Sequence, residues 1–178
     1  MLVEVKVQSL AMDRTANAPV VILQELEGER VLPIWIGPSE ATAIAIQLAG
    51  RAFARPLTHD LICSVFKGLG GELEKVIITQ VKKSTYYAEL IVRQNGDVVS
   101  LDARPSDSIA VALRSEARIF ADDDLLEEAT IEIIDEETAA ELDFEFSEPL
   151  EPDVVMGPKE LQEHLRRLNP EDFGRFTP

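Results

Sequence analysis

Arg104-Pro105-Ser106-Asp107-Ser108-Ile109-Ala110-Val111-Ala112 decides how this chain is read. The residue before a proline is pushed to extended geometry, so Arg104 closes whatever strand precedes it. Pro105 suits a first helical turn, Asp107 favours the positive end of a helix dipole, and the apolar run from Ile109 continues a helix to about Glu116. The stretch is therefore a strand handing over to a helix at a charged junction. Unpaired backbone N–H groups there could receive a phosphate or carboxylate, or the junction could be plain architecture.

Working back from this junction, Asn95-Gly96-Asp97 is a strong hairpin turn, with Val98–Leu101 as the strand after it and Thr85–Arg93 as the strand before. Glu74–Val81 is a further strand rich in β-branched residues. Thr58, placed as an N-cap, opens a helix with Leu61, Ile62, Val65, Phe66 and Leu69 on one face, ending at Gly70-Gly71. Gly37-Pro38-Ser39-Glu40 opens another, with Ala41, Ile44, Ala45 and Leu48 as its core stripe and Gly50 as its stop. At the start of the chain, Val3, Val5 and Val7 alternate with polar residues. Pro19–Leu26 and Arg30–Trp35 then form a hairpin around Glu27-Gly28-Glu29. Arg118–Ala121 adds a short strand after the third helix. The expected fold is α+β: a largely antiparallel twisted sheet with about three packed helices.

Beyond Asp122 the composition turns to Asp, Glu and Pro. We expect a main domain over 1–135, an acidic Pro-containing linker over 136–157, and a C-terminal helix and tail over 158–178. That last helix, opened by Pro158, carries a narrow seam of Leu161, Leu165 and Leu168 and needs something to pack on. Asp122-Asp123-Asp124 reads as a solvated turn, since adjacent carboxylates rarely point at one centre.

The 178 residues carry a net charge of −16, which argues against a simple cationic nucleic-acid binder. The charge is unevenly placed. Residues 45–118 hold 10 basic and 8 acidic side chains, whereas residues 119–178 hold 4 and 19. A polyanion could thus meet a locally basic surface. Cys63 is the sole cysteine, which excludes an intramolecular disulfide, and its apolar neighbours suit a buried small hydrophobe. No apolar run reaches membrane-spanning length and no secretory leader is visible, so a cytoplasmic location is expected and no membrane partner.

Three ordered motifs carry a family resemblance. They are Leu32-Pro33-Ile34-Trp35-Ile36-Gly37 leading to Glu40-Ala41, Arg55-Pro56-Leu57-Thr58-His59-Asp60-Leu61, and Arg104-Pro105-Ser106-Asp107-Ser108-Ile109-Ala110. Together they resemble the bifunctional nuclease (BFN) domain family over roughly residues 1–135. The resemblance implies an α+β fold, a homo-oligomer and nuclease activity on both DNA and RNA. It brings no established catalytic residues, so the site expectations rest on chemistry.

Phosphodiester hydrolysis needs a nucleophile, usually a metal-activated water, and a cationic group to stabilise the phosphorane oxygens. His59, Asp60, Arg104 and Asp107 are the catalytic candidates. Arg55, Arg104, Ser106, Lys82 and Lys83 are the candidates for the phosphate, and Glu40, Asp60, Asp102 and Asp107 for Mg²⁺ or Mn²⁺, hard cations that prefer oxygen. Lys82-Lys83 with Tyr86 and Tyr87 also looks like a small basic and aromatic patch on which single strands could stack. In the structural reading, one tyrosine faces the core and the lysines protect a sheet edge.

With only His59 and His164, a zinc hydrolase is not indicated. Trp35 lies in an apolar strand and reads as core or subunit interface. Two functions compete. One is a metal-assisted nuclease of low sequence specificity, with nucleic acid as its partner. The other is a non-catalytic oligomeric binding or regulatory module whose Arg-Pro-Ser-Asp helix junctions bind a small anion or brace the fold. Short strands with free edges and the apolar seam of the last helix favour a homo-oligomer, dimer or trimer.

Overall fold

The computed structural model describes residues 1–14 and 16–133, with side chains to Ala129. The expected linker over 136–157 and the expected helix and tail over 158–178 lie outside the described residues. Among the described residues seven strands and four helices follow in the order β1 (Leu2–Asp13), β2 (Ala18–Glu25), β3 (Val31–Trp35), α1 (Pro38–Leu48), α2 (Thr58–Gly68), β4 (Gly71–Lys82), β5 (Thr85–Gln94), β6 (Asp97–Ala103), α3 (Pro105–Ser115), β7 (Arg118–Asp122) and α4 (Asp123–Ile133). The sheet order is β3-β2-β1-β7-β4-β5-β6. The β4–β7 pair is parallel and the other five are antiparallel, so the α+β fold with a largely antiparallel sheet is present.

Local chemistry accounts for the hairpins. Asn95 and Gly96 take φ of 52° and 90°, the left-handed pair of a two-residue turn that matches strand twist. Lys83 and Ser84 do the same between β4 and β5, at 49° and 60°. The lysines therefore cap a hairpin rather than guard an edge, because β4 lies inside the sheet between β7 and β5. Tyr86 packs against the core while Tyr87 is exposed, as the alternation of a strand requires.

The short strand after α3 belongs at the centre of the sheet. β7 joins the N-terminal hairpin unit to β4-β5-β6 by pairing with β1 on one side and β4 on the other. α3 packs against β4, β5 and β7, with α1 and α2 alongside it. Ile109, Ala110, Val111 and Ala112 are all buried there. Burying a side chain the size of Ile109 or Val111 contributes about 1.5–3 kcal/mol, so α3 anchors the helical layer. Val20 and Val21 on β2, and Leu32 and Ile34 on β3, are buried too. Adjacent strand residues face opposite sides, so β2 is covered on both. β6 at the far end is bare, with Val98, Val99 and Leu101 exposed.

Four expectations are corrected. Leu57, not Thr58, is the N-cap of α2, because Asp60 in the first turn accepts the Leu57 N–H at 2.8 Å and supplies the cap from inside the helix. On the same helix Cys63 is buried, with Ile62 and Phe66 packed beside it, while Leu61, Val65 and Leu69 are exposed. Two apolar stripes compete for the core there, and the one containing the small Cys63 fits closest against α3, its Sγ 3.3 Å from Ser115 Oγ. Leu48, at the end of α1, is exposed. Asp123 and Asp124 form the first turn of a fourth helix rather than a solvated turn. Asp122 Oδ1 accepts the Asp124 N–H, and Arg30 holds Asp123 at 2.9 Å. Leu125, Leu126 and Ala129 of that helix are buried. Among the described residues no helix is long and apolar enough to cross a membrane.

Candidate functional site

Each of the first three helices carries an acid at its third position: Glu40 in α1, Asp60 in α2 and Asp107 in α3. The dipole alone favours these places. Because α1 and α2 both pack against α3, the three helix starts come together; Arg104 joins Glu40 to Asp107, and Arg114 binds Asp60.

Arg104, the N-cap of α3, gives Nε and Nη2 to Asp107 Oδ2 and Oδ1 at 2.7 and 3.2 Å, and Nη1 to Glu40 Oε1 at 2.8 Å. His59 Nε2 stands 3.2 Å from Asp107 Oδ1. Arg114, near the end of α3, donates Nε to Asp60 Oδ1 at 2.6 Å and its terminal nitrogens to the carbonyls of Ala110 and Ala43. Burial pushes the Asp107 carboxyl up, but hydrogen bonds from Arg104 and His59 outweigh it and hold the group below the ordinary carboxylate range. The Leu57 N–H, helped by Arg114, holds Asp60 low against its own desolvation. The bonds to Asp107 and Glu40 raise Arg104 above its already high value.

Arg104, His59, Asp107 and Glu40 line an open cleft of about 800 Å³ whose far wall includes Pro56, Leu57 and Ile62. The Arg104 side chain is 64% exposed and that of His59 only 12%. An ionised carboxylate only accepts hydrogen bonds, so Asp107 fixes the proton of a neutral His59 on Nε2 and leaves Nδ1 as the ring's acceptor. A guanidinium has five N–H donors. Three are directed at Asp107 and Glu40, which leaves two for a ligand. The cleft thus pairs a cation that still has donors with a histidine held in one tautomer.

The structure brings Glu40, His59, Arg104 and Asp107 into one cluster; Asp60 is bonded instead to Arg114, which lines the same cleft. Ser106 is buried beside Arg104 in an adjoining cleft. Arg55 is exposed in the loop before α2. Lys82 and Lys83 sit at the β4–β5 hairpin, where Lys82 Nζ lies 5.9 Å from the Tyr87 ring centre. Asp102 is exposed on β6, opposite Glu89.

The four carboxylates expected to hold Mg²⁺ or Mn²⁺ do not form a common site. Both oxygens of Asp107 and both of Asp60 already accept hydrogen bonds, and Asp102 lies on the bare edge strand. Among the described residues no group of three or more His, Cys, Asp or Glu is placed to hold a metal ion. As arranged, the cluster does not fit a resident divalent cation.

Sequence reasoning missed Arg114, whose side chain is 4% exposed. Its signal was an arginine two residues after the buried run Ile109–Ala112, a position that asks for a partner. Trp35, read as core or interface, is 44% exposed at the end of β3, and its Nε1 donates to Asp13 Oδ2 at 2.8 Å.

A family model described as "Bifunctional nuclease domain" matches residues 21–134. An uncharacterized protein of Mycobacterium tuberculosis is 39% identical over 170 residues, covering 96% of this chain and 97% of the relative. Bifunctional nuclease 2 of Oryza sativa subsp. japonica is 27% identical over 116 residues, 63% of this chain and 36% of its own length. Bifunctional nuclease 1 of Arabidopsis thaliana is 27% identical over 103 residues, 56% and 32% of the two chains. The match thus spans about a third of each plant protein.

Proposed function

Because the chain belongs to the bifunctional nuclease domain family, we propose that it hydrolyses phosphodiester bonds in DNA and RNA, with little sequence specificity, at the Arg104–Asp107–His59 cleft. The observation that carries this reading is the Asp107 carboxylate, which holds an exposed guanidinium and a nearly buried imidazole at once. Arg104 would bind the non-bridging phosphate oxygens through its two remaining donors and stabilise the charge that grows on them. His59 Nδ1 would draw the proton from the attacking water while Asp107 steadies the resulting imidazolium. Water oxygen forms the new bond to phosphorus, and the ester oxygen departs with the bonding pair and takes up a proton from solvent, while the imidazolium returns its proton to solvent. No step runs through a protein-bound metal. Mg²⁺ or Mn²⁺ enters this reading as an ion arriving with the phosphate, to which Glu40 could offer its second oxygen.

Homo-oligomeric assembly, as dimer or trimer, is part of the same reading. It is supported by the bare edge of β6 and its exposed Val98, Val99 and Leu101. The lone, buried Cys63 suits a reducing, cytoplasmic setting.

A second reading has its own observation. Arg104 ties α1 to α3, and His59 ties α2 to α3, so the cluster would brace three helix starts even without a substrate. The deciding experiment incubates the purified full chain with single-stranded DNA and with RNA, with Mg²⁺ or Mn²⁺ and then with a chelator. Cleavage that co-purifies with the chain and disappears in Arg104→Ala at unchanged melting temperature supports the nuclease. Absence of cleavage under every condition, or activity lost only in step with folding, supports the brace.

A further inference from the structure

Trp35 ends β3 with its indole anchored by one edge, Nε1 to Asp13 Oδ2, and it lines two clefts at once. The first, about 350 Å³, is lined by Tyr86, Ser84, Arg104 and Glu40 as well. The second, about 430 Å³, carries Lys83. The first also shares Arg104 and Glu40 with the cleft that holds His59. Lys83, Trp35, Arg104 and His59 thus succeed one another along three depressions with common walls.

This succession alternates cation, aromatic face and cation ahead of the imidazole. A single strand of nucleic acid presents phosphate, base and phosphate in the same alternation, and every base offers a π face. Two of the nearby carboxylates are bonded, Asp13 to the indole and Glu40 to Arg104, while Glu128 lines the second cleft together with Lys83. A duplex keeps its bases stacked inside and offers no free face to an indole. Lys83 and Ser84 project at a two-residue turn in left-handed geometry, which places the lysine at the tip of the β4–β5 hairpin.

We infer that Trp35 is the stacking platform for one base of a single-stranded nucleic acid whose flanking phosphates rest on Arg104 and Lys83. The inference rests on the nuclease reading of the Arg104 cleft and adds to it a preference for unpaired strands.

Trp35 is the sole tryptophan of the chain, so its fluorescence reports the event directly. The full chain is titrated with a short phosphorothioate oligothymidylate, with an abasic strand of the same phosphate count, and with a phosphorothioate duplex. The single strand is expected to quench the emission saturably, while the abasic strand and the duplex leave it unchanged. By anisotropy of a labelled strand, Trp35→Leu should bind about ten- to a hundred-fold more weakly and Trp35→Phe within a few-fold of the parent.

Equal affinity for the base-bearing and abasic strands overturns the platform on the unaltered protein, whatever the variants do. Unchanged oligonucleotide affinity in Trp35→Leu, together with a lower particle mass in light scattering, makes the indole a subunit contact instead. Cleavage of an ordinary phosphodiester strand is scored separately. Quenching without products removes the nuclease and keeps the platform, and products without quenching remove the platform alone.

Discussion

Arg114, with its side chain 4% exposed, reaches from the end of α3 to place Nε 2.6 Å from Asp60 Oδ1 at the start of α2. The same guanidinium bonds the carbonyls of Ala110 and Ala43, so one side chain joins all three helices beside the cleft. Removing Asp60 leaves a buried cation short of its counter-charge and frees the Leu57 N–H. Asp60 is 37% exposed, so water replaces part of the loss. Asp60→Ala should therefore cost about 1–3 kcal/mol in urea unfolding. A double variant, Asp60→Ala with Arg114→Met, should recover part of that cost. A further loss in the double variant would show that Arg114 stabilises through its carbonyl bonds and packing rather than through Asp60.

Arg104 behaves oppositely because its side chain is 64% exposed. Exposed ion pairs contribute little, so Arg104→Ala should stay within about 1 kcal/mol of the parent. Loss of a charge-stabilising donor at the phosphate should lower kcat about a hundred- to a thousand-fold. Arg104→Lys keeps the charge but cannot reach Asp107 and Glu40 together, and should rescue only a small part. Full activity in Arg104→Ala would remove this residue from the chemistry.

What the sequence disclosed follows from the range of the interactions. Asn95-Gly96 and the Pro105–Asp107 helix start are decided by neighbours a few residues apart, and both stand as read. The three acids at matching helix positions were visible for the same reason. Arg114 was not, because its partner lies 54 residues earlier and only the packing of α2 on α3 brings them together. The central place of β7 depends likewise on a parallel pairing with β4 that no local pattern announces. For α2 the periodicity allowed two apolar stripes, and the contact with α3 chose between them. Of the two readings of Trp35 only the core is overturned: an apolar strand suggests a buried end, whereas its indole N–H found Asp13 at the surface.

Gly37 has a role readable only from space. A Cβ built there would stand 2.3 Å from Glu40 Oε2, so the glycine leaves room for the carboxylate that Arg104 bonds. Because the obstructed atom ends a flexible side chain, Gly37→Ala should shift Glu40 and cost less than about 1 kcal/mol in stability. Activity should fall several-fold through a misplaced Arg104, and Glu40→Gln should lower it similarly. Gly37→Ala with unchanged activity and an unmoved Glu40 in a crystal structure would contradict this role.

Acid should weaken the fold through Asp60 and Asp107. Both carboxyls titrate lower in the folded chain, Asp60 chiefly through the Leu57 N–H, and Asp107 because Arg104 and His59 outweigh its burial. The unfolded chain therefore binds protons first as the pH drops. The stability they contribute is fully present above the unfolded carboxyl value of about 3.9 and is lost as the pH falls through the lower folded values. Urea unfolding followed from pH 7 to pH 3 should give a plateau at the neutral end and a decline at the acid end. In Asp60→Asn the plateau should lie lower and the decline be shallower, since that proton is no longer exchanged. A decline of the same steepness in Asp60→Asn and Asp107→Asn would assign the acid sensitivity to other carboxylates, with Glu25 beside Arg30 the next to test, because its carboxyl is also held low by that arginine's hydrogen bond.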